Sequence, residues 1–223
     1  MNCDRRAFVH QSLALAGALI VGDCAAALSA LHASSPPGGS ELFKRMTWMN
    51  EPESARQDGD KLVVRSRAKT DFWRKTSYGY ITDNGHFFHM LVNGDFTFQA
   101  CVGGKYAALY DQAGLMVRFG EENWMKCGTE FFDGKRHASV VLTRDFSDWS
   151  TMPDLSDTAP VWWRAVRRKY SMAISCSLDG ENFTTVREGF FPPRSEVQVG
   201  IMCAAPEGPG FEATFSDLKL QRG

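Results

Sequence analysis

Aromatic, basic and acidic side chains alternate with mostly apolar ones in the run WMKCGTE at residues 124–130. Alternate side chains of a β-strand point to the same face, so Trp124, Lys126 and Glu130 are expected to share one face, with Met125 and Cys127 pointing into a core. A ring, a cation and an anion in line can stack on a sugar and hydrogen-bond its hydroxyl groups. A solvated face carrying a cross-strand ion pair is the alternative interpretation.

The same alternation supplies further candidates for ligand binding. Trp162 and Arg164 share a face, so one tryptophan of the Trp162–Trp163 pair should be buried and the other open to solvent. Trp149 lies in a segment, 144–160, predicted to be a long loop, where it either covers a ligand or attaches the loop to the fold. The predicted ligand-binding residues are Trp73, Gln112, Lys126, Glu130, Trp149, Trp162 and Arg164.

Acid–base catalysis would need titratable groups that converge on one point. Glu130 is the candidate acid or base, with Asp148 or His86 as its partner. Glycoside hydrolysis uses two carboxyl groups within roughly 5–10 Å of each other, and the sequence contains no E-x-D-x-x-E cluster that would place two acids close together on one strand. A structural histidine with satisfied hydrogen bonds is the alternative for His86.

Motifs for metals and cofactors are not found. His86 and His89 are three residues apart, which places them on opposite faces of a strand. The Asp-Gly pairs are typical of turns and lack the ligand spacing of a calcium loop. There is no glycine-rich phosphate loop, no G-x-S-x-G and no H-E-x-x-H. We therefore expect neither a metal nor a cofactor.

The composition restricts the class of protein. With 25 Lys and Arg against 26 Asp and Glu, the formal net charge is −1, without the basic excess of a nucleic-acid-binding protein. The values of 43% hydrophobic and 23% charged residues exclude a disordered chain, a collagen-like repeat and a coiled coil. The basic run at 164–169 is interpreted as a charged sheet edge, with an acidic glycan as the alternative partner.

Residues 1–33 have the three parts of an export signal: Arg5 and Arg6, then a weakly apolar run, then small residues. The paired arginines with Phe8 two residues on resemble the twin-arginine pattern, and a Sec-type leader is the alternative. The apolar run at 12–22 is shorter than the roughly 20 residues that span a bilayer, so no permanent membrane span is expected. Residues 34–41 are predicted to be a linker, and the mature protein to be periplasmic or secreted.

Four cysteines remain beyond the leader, and no two of them form a C-x-x-C pair, so a cysteine zinc site is not supported. A twin-arginine substrate folds in the reducing cytoplasm before export. Buried thiols are therefore expected, with one or two disulfides as the alternative. The cysteines are Cys101, Cys127, Cys176 and Cys203.

From Glu41 onward the chain shows strand alternation and almost no helical period. Examples are HFFHMLV at 86–92, FTFQACV at 96–102, YSMAISC at 170–176 and VQVGIM at 197–202. Turn sequences such as DNG at 83–85 and NGD at 93–95 separate these runs. Many short strands spaced by such turns indicate an antiparallel sandwich or barrel.

Seven motifs in order resemble a family of concanavalin-A-like domains, also called the regulation-of-enolase protein family. They are WMNEP at 48–52, TDFWR at 70–74, YDQAGLMVR at 110–118, WMKCGTE at 124–130, SDWS at 147–150, WWR at 162–164 and SLDG at 177–180. The resemblance covers residues 42–220 and implies an all-β jelly-roll sandwich of two curved antiparallel sheets over residues 42–223. Many relatives of that architecture bind or cleave carbohydrate on the concave face, which for this chain is analogy alone.

These observations favour an exported, single-domain β-sandwich that binds carbohydrate or another small polar ligand on one curved face. The second hypothesis is a glycoside hydrolase or polysaccharide lyase that uses Glu130 with Asp148 or His86. The third is a module that docks another protein through the same exposed aromatic side chains.

Overall fold

The computed structural model describes residues 38–152, 155 and 159–223. The predicted export signal at 1–33 lies outside the described residues. A short helix, α1 (Gly39–Phe43), begins inside the predicted linker, and its Leu42 and Phe43 are buried. The folded part of the chain therefore starts earlier than the sequence predicts.

The remaining elements of the described chain are sixteen strands. They are β1 (Thr47–Met49), β2 (Ser54–Asp58), β3 (Lys61–Arg65), β4 (Phe72–Arg74), β5 (Ile81–Asp83), β6 (His86–Asn93), β7 (Phe96–Gly104), β8 (Gln112–Arg118), β9 (Asn123–Phe132), β10 (Lys135–Arg144), β11 (Phe146–Met152), β12 (Val161–Arg168), β13 (Ser171–Ser177), β14 (Thr184–Phe190), β15 (Glu196–Ala204) and β16 (Glu212–Arg222).

Two seven-stranded sheets pack face to face, which confirms the predicted all-β jelly-roll sandwich. Sheet A has the strand order β1-β6-β15-β8-β9-β10-β11, and sheet B has the order β14-β13-β12-β7-β16-β3-β2. The pairings of neighbouring strands within both sheets are antiparallel. A separate hairpin, β4–β5, completes the fold.

Alternation decides which side chains enter the core between the two sheets. Met125 and Cys127 of β9 are buried there, as the sequence predicts. Trp163 is fully buried in the same core, and Trp162 is only partly buried on the other face of β12. Burying a large apolar side chain contributes about 1.5–3 kcal/mol, so a strand that slipped by one residue would lose this contribution at several positions.

The four cysteines are buried and unpaired, in agreement with the preferred prediction of thiols. Burial raises the pKa of the Cys127 and Cys203 thiols, because no solvent is available to stabilise a thiolate.

The β4–β5 hairpin covers the outer face of sheet A and forms a second apolar cluster with it. Phe72 of the hairpin lies with its ring centroid 6.3 Å from that of Trp124. The prediction that Trp124 lies on an open face is wrong: it is 1% exposed. It does point away from the main core, as alternation requires, but the hairpin shields it from solvent.

Buried cations fasten the hairpin to sheet A. The two terminal nitrogens of the Arg118 guanidinium, Nη1 and Nη2, each donate to the Asp83 carboxylate at 2.6 Å. The Lys126 ammonium donates to the Phe72 carbonyl oxygen at 2.7 Å and to Asp71 at 3.2 Å. These charge-assisted bonds fix the distance of the hairpin from sheet A and its orientation.

The basic run at 164–169 does not form a sheet edge, which corrects the sequence-based interpretation. It belongs largely to β12, which lies between β7 and β13 in the interior of sheet B. Arg167 points inward at 2% exposure and donates to the backbone carbonyls of Gly94 and Arg194. Alternation therefore separates the basic side chains between the two faces of the strand.

The substitution Asp83→Asn tests the ion pair between the hairpin and Arg118 of sheet A. It leaves the buried Arg118 guanidinium without its counter-charge, so we expect the free energy of unfolding to fall by about 3–5 kcal/mol. Asp58→Asn is the control, because Asp58 and its partner Arg56 are both largely exposed; there the loss should be under about 0.5 kcal/mol. Urea unfolding measures the loss of free energy in both variants. Equal losses would show that the Arg118–Asp83 ion pair does not stabilise the fold.

Candidate functional site

A cavity of about 380 Å³ opens between the β4–β5 hairpin and the outer face of sheet A. Its volume lies within the roughly 300–1,000 Å³ range of sites that bind small molecules. Five aromatic side chains contribute to its walls: Trp73, Tyr78, Tyr80, Tyr110 and Trp149. Four polar side chains on neighbouring strands or just before β4 also line it: Asp71, Gln112, Lys126 and Glu130.

Close packing of β8 against β9 brings the polar side chains together. Gln112 is paired with Glu130 in the strand register, and Gly114 with Gly128. A Cβ atom on Gly114 would lie 1.8 Å from the Cys127 carbonyl oxygen, so only glycine permits this approach. The glycine pair therefore serves strand packing.

Asp71 organises the base of the pocket. Its Oδ1 accepts hydrogen bonds from the Phe72 backbone N–H at 2.7 Å and from the Gln112 amide at 3.2 Å, and it also faces the Lys126 ammonium at 3.2 Å. Through these three donors on one oxygen, Asp71 links the hairpin to β8 and β9.

Glu130 is the most enclosed acid of the pocket, with 7% of its surface exposed. The Trp149 indole N–H donates to its Oε2 at 3.0 Å and lies at the same distance from the Ser139 hydroxyl oxygen. Burial raises the pKa of the Glu130 carboxyl, and the Lys126 charge and the hydrogen bonds from Ser139 and Trp149 offset part of that rise. Glu130 therefore holds a proton to higher pH than an ordinary glutamate.

Trp149 lies on a strand rather than in the predicted loop. Residues 146–152 form β11, which pairs with β10 at the edge of sheet A. Its indole N–H is anchored on Glu130 and Ser139, while 40% of the residue stays exposed. Trp149 thus combines both alternatives considered for it: it attaches to the sandwich and lines the cavity.

Two aromatic walls flank the polar base. On the hairpin side, Tyr78 and Tyr80 stack with centroids 5.5 Å apart, and Trp73 lies 6.4 Å from Tyr78. On the sheet side, Tyr110 meets Trp149 edge-on at 6.5 Å. Burial, with the nearby acids, raises the pKa of the Tyr80 and Tyr110 hydroxyls, so both remain neutral hydrogen-bonding groups.

The structure brings five of the seven predicted ligand-binding residues into this cavity: Trp73, Gln112, Lys126, Glu130 and Trp149. Trp162 and Arg164 lie elsewhere, which corrects the prediction of a single shared face. They project from β12 of sheet B, where the Trp162 indole N–H donates to Asp217 and the Arg164 guanidinium lies 3.4 Å from the Phe183 ring centroid. Local alternation is right for both, but the sheet assignment separates them from the cavity.

The predicted catalytic trio does not converge. The Asp148 carboxylate accepts a hydrogen bond from Arg187 at 2.7 Å and does not line the cavity. His86 is 1% exposed; its Nε2 accepts the Arg67 backbone N–H, and its Nδ1 contacts the Asn50 carbonyl oxygen at 2.8 Å. Burial lowers the pKa of His86, so it is a neutral structural histidine, the alternative considered for it.

Eight residues that line the pocket were not selected from the sequence, among them Asp71, Tyr78, Tyr80 and Tyr110. A signal was present, since Tyr78 and Tyr80 alternate just after the TDFWR motif that holds Asp71. Tyr110 has a positive φ of 65° at the entrance to β8, a backbone conformation that its residue type does not indicate.

Two further findings concern the described residues alone. No group of three or more His, Cys, Asp or Glu side chains in that part of the chain could hold a metal ion. Likewise, no helix among residues 38–152 and 159–223 is long and apolar enough to cross a membrane.

The chain is similar in sequence to a known protein family and to a named yeast protein. A family model described as "Protein of unknown function (DUF1349)" matches residues 48–223. The protein named Regulation of enolase protein 1, from Saccharomyces cerevisiae, is 40% identical over 174 residues, which cover 78% of this chain and 88% of that protein.

Solved structures share the architecture. A functionally unknown protein from Saccharomyces cerevisiae superimposes with a TM-score of 0.78 at 39% identity, covering 81% of this chain and 98% of that one. A GH43 protein from Bacillus licheniformis gives a TM-score of 0.62 at 15% identity, covering 82% of this chain and 39% of the larger protein. At that identity the second likeness concerns the fold alone.

The raised pKa of Glu130 predicts a pH dependence of stability. Because the folded state binds this proton more tightly than the unfolded chain does, the contribution is fully present below the ordinary glutamate pKa and is lost as pH rises through the raised one. Glu130→Gln should therefore flatten the fall in the free energy of unfolding with rising pH, measured by urea unfolding at a series of pH values.

Glu212→Gln is the matched control. Lys105 holds the pKa of the Glu212 carboxyl below its ordinary value, so its contribution is lost as pH falls. Removing Glu212 should leave the fall at rising pH intact. A wild-type profile indistinguishable from that of Glu130→Gln would show that the Glu130 pKa is not raised.

Proposed function

Because the chain belongs to the family described as Protein of unknown function (DUF1349), we propose its function from its own pocket: the protein binds carbohydrate between the β4–β5 hairpin and sheet A. One observation carries the proposal. Aromatic rings on two opposing walls flank a polar base within a cavity of about 380 Å³.

The chemistry of the walls matches the chemistry of a sugar ring. A pyranose has apolar C–H faces, which stack on flat aromatic side chains, and hydroxyl groups around its edge. Tyr78 and Tyr80 present such rings, with 66% and 48% of their surfaces exposed. Leaving large rings exposed in one patch is costly for a soluble protein unless a ligand covers them.

The polar base supplies the hydrogen bonds that would orient the ring. Gln112 offers an amide oxygen, since its nitrogen donates to Asp71 and the Tyr110 carbonyl. Glu130 offers carboxyl oxygens as acceptors when ionised, or a donor when protonated. The phenol groups of Tyr80 and Tyr110 both donate and accept. A small number of fixed polar groups within an aromatic enclosure is the usual composition of a ligand site.

Binding is proposed in preference to hydrolysis. Glu130 has the burial and raised pKa of a general acid, but its predicted partners Asp148 and His86 are engaged elsewhere. Asp71 is another acid that lines the cavity, and three donors already occupy one of its oxygens. The likeness to a GH43 protein agrees with a carbohydrate ligand at the level of fold only.

Tyr78→Ala and Tyr80→Ala test the pocket. Each removes an exposed ring that lines the cavity, so we expect affinity for any glycan found on an array to weaken about tenfold, measured by titration calorimetry. Tyr170→Ala is the control, since Tyr170 is 61% exposed on the turn between β12 and β13. Release of reducing sugar is followed in parallel.

The substitution Trp162→Ala distinguishes a binding site on sheet B from the pocket on sheet A. If it weakens glycan binding while the tyrosine variants do not, the site lies on sheet B and the pocket is wrongly assigned. Absence of binding to every glycan on the array by the wild type would overturn the function itself.

We also propose, from the sequence of residues 1–33, that the protein is exported through a twin-arginine route. Replacing Arg5 and Arg6 together with lysine should leave the protein inside a bacterial host that carries this pathway, as seen by immunoblotting of cell fractions. Arg45→Lys, outside the leader, should not change export. Unaffected export of the double variant would favour the Sec-type alternative.

A further inference from the structure

The charges that line the pocket are unevenly compensated. Three carboxylates contribute to its surface, those of Asp71, Glu130 and Glu207. The Lys126 ammonium lies 3.2 Å from Asp71, and the Lys69 ammonium lies 3.1 Å from Glu207. Each of these two carboxylates therefore has its own cation.

Glu130 has no such partner. Among the described residues, no lysine, arginine or histidine nitrogen lies within 4.0 Å of its carboxylate oxygens, although Lys126 is close enough to influence it. The groups that donate to it are neutral: the Trp149 indole and the Ser139 hydroxyl. A buried carboxylate without a counter-charge is unfavourable, which is why Glu130 holds its proton to higher pH. A cationic ligand that binds beside Glu130 would supply the missing counter-charge and stabilise the ionised carboxylate.

The aromatic rings beside Glu130 also favour a positively charged group. An ammonium group is attracted to the face of a tryptophan or tyrosine ring within about 6 Å. Tyr110 and Trp149 meet edge-on beside the carboxylate. In the described part of the chain, the cation–π contacts involve rings other than those of Tyr110 and Trp149. Examples are Lys126 over Trp124 and Arg164 over Phe183.

From the cavity, the uncompensated carboxylate and the unoccupied rings, we infer that the pocket selects saccharides that carry a protonated amine. The ammonium would lie against Glu130 and the faces of Tyr110 and Trp149, while the sugar ring stacks on the tyrosines of the hairpin. This inference rests on the proposed function, because it names the class of carbohydrate bound in the same pocket. A uronic acid would meet repulsion from the uncompensated Glu130 carboxylate.

Calorimetric titration of the wild type with four oligosaccharides of equal length tests the inference. They are built from glucosamine, N-acetylglucosamine, glucose and glucuronic acid, and the titrations are run at about pH 6, where the free amine is protonated. We expect the glucosamine oligomer to bind about tenfold or more tightly than the N-acetylated one, and the glucuronic acid oligomer to bind most weakly.

Glu130→Gln assigns the preference to one side chain. This variant keeps the side-chain shape and one acceptor oxygen for the Trp149 indole but removes the charge, so it should bind the glucosamine and N-acetylglucosamine oligomers with similar affinity. Glu212→Gln removes a carboxylate from sheet B and should keep the wild-type preference. Circular dichroism of both variants verifies that they are folded.

The outcomes distinguish the two proposals. Equal wild-type affinity for the charged and N-acetylated oligomers would overturn the amine preference and leave carbohydrate binding intact. Failure to bind any of the four, together with a blank glycan array, would overturn carbohydrate binding and the inference with it. A preference that survives Glu130→Gln would show that Glu130 does not recognise the amine.

Discussion

The packing of Phe72 on Trp124 holds the β4–β5 hairpin against sheet A, and the pocket exists because the hairpin is held there. A two-stranded hairpin is only marginally stable by itself. Here it gains a buried apolar face and ion pairs to Arg118 and Lys126. The hairpin therefore behaves as part of the sandwich, and the aromatic rings on its loop are carried by a fixed support.

The buried charges show how stability and function are divided. Arg118 and Lys126 lie on the hairpin-facing side of sheet A, and each is matched by a carboxylate from the hairpin region, so desolvation is offset by close charge-assisted bonds. Glu130 is buried in the same region but receives only neutral donors. In the amino-sugar complex that we propose, the ammonium group of the ligand supplies the missing counter-charge.

Much of the fold follows from strand alternation in the sequence. The burial of one tryptophan of the Trp162–Trp163 pair and the burial of Met125 and Cys127 were predicted correctly, because each depends on the local period of two. Two errors have different causes. Trp124 is covered by a hairpin more than 40 residues away in sequence, a contact that leaves no local signal. Trp149 lies on a strand that pairs with the preceding strand β10, but its run FSDWSTM lacks the period-two alternation by which strands were predicted.

The sequence by itself determined the all-β class, the face on which each strand residue points and the candidates Trp73, Gln112, Lys126, Glu130 and Trp149. Tertiary structure alone decided which of these faces meet. Strand β12 pairs with β7 in sheet B, whereas β9 pairs with β8 and β10 in sheet A, so Trp162 and Arg164 are separated from the pocket. The physical reason is that side-chain direction is set by neighbouring dihedral angles, whereas strand order depends on packing between segments far apart in the chain.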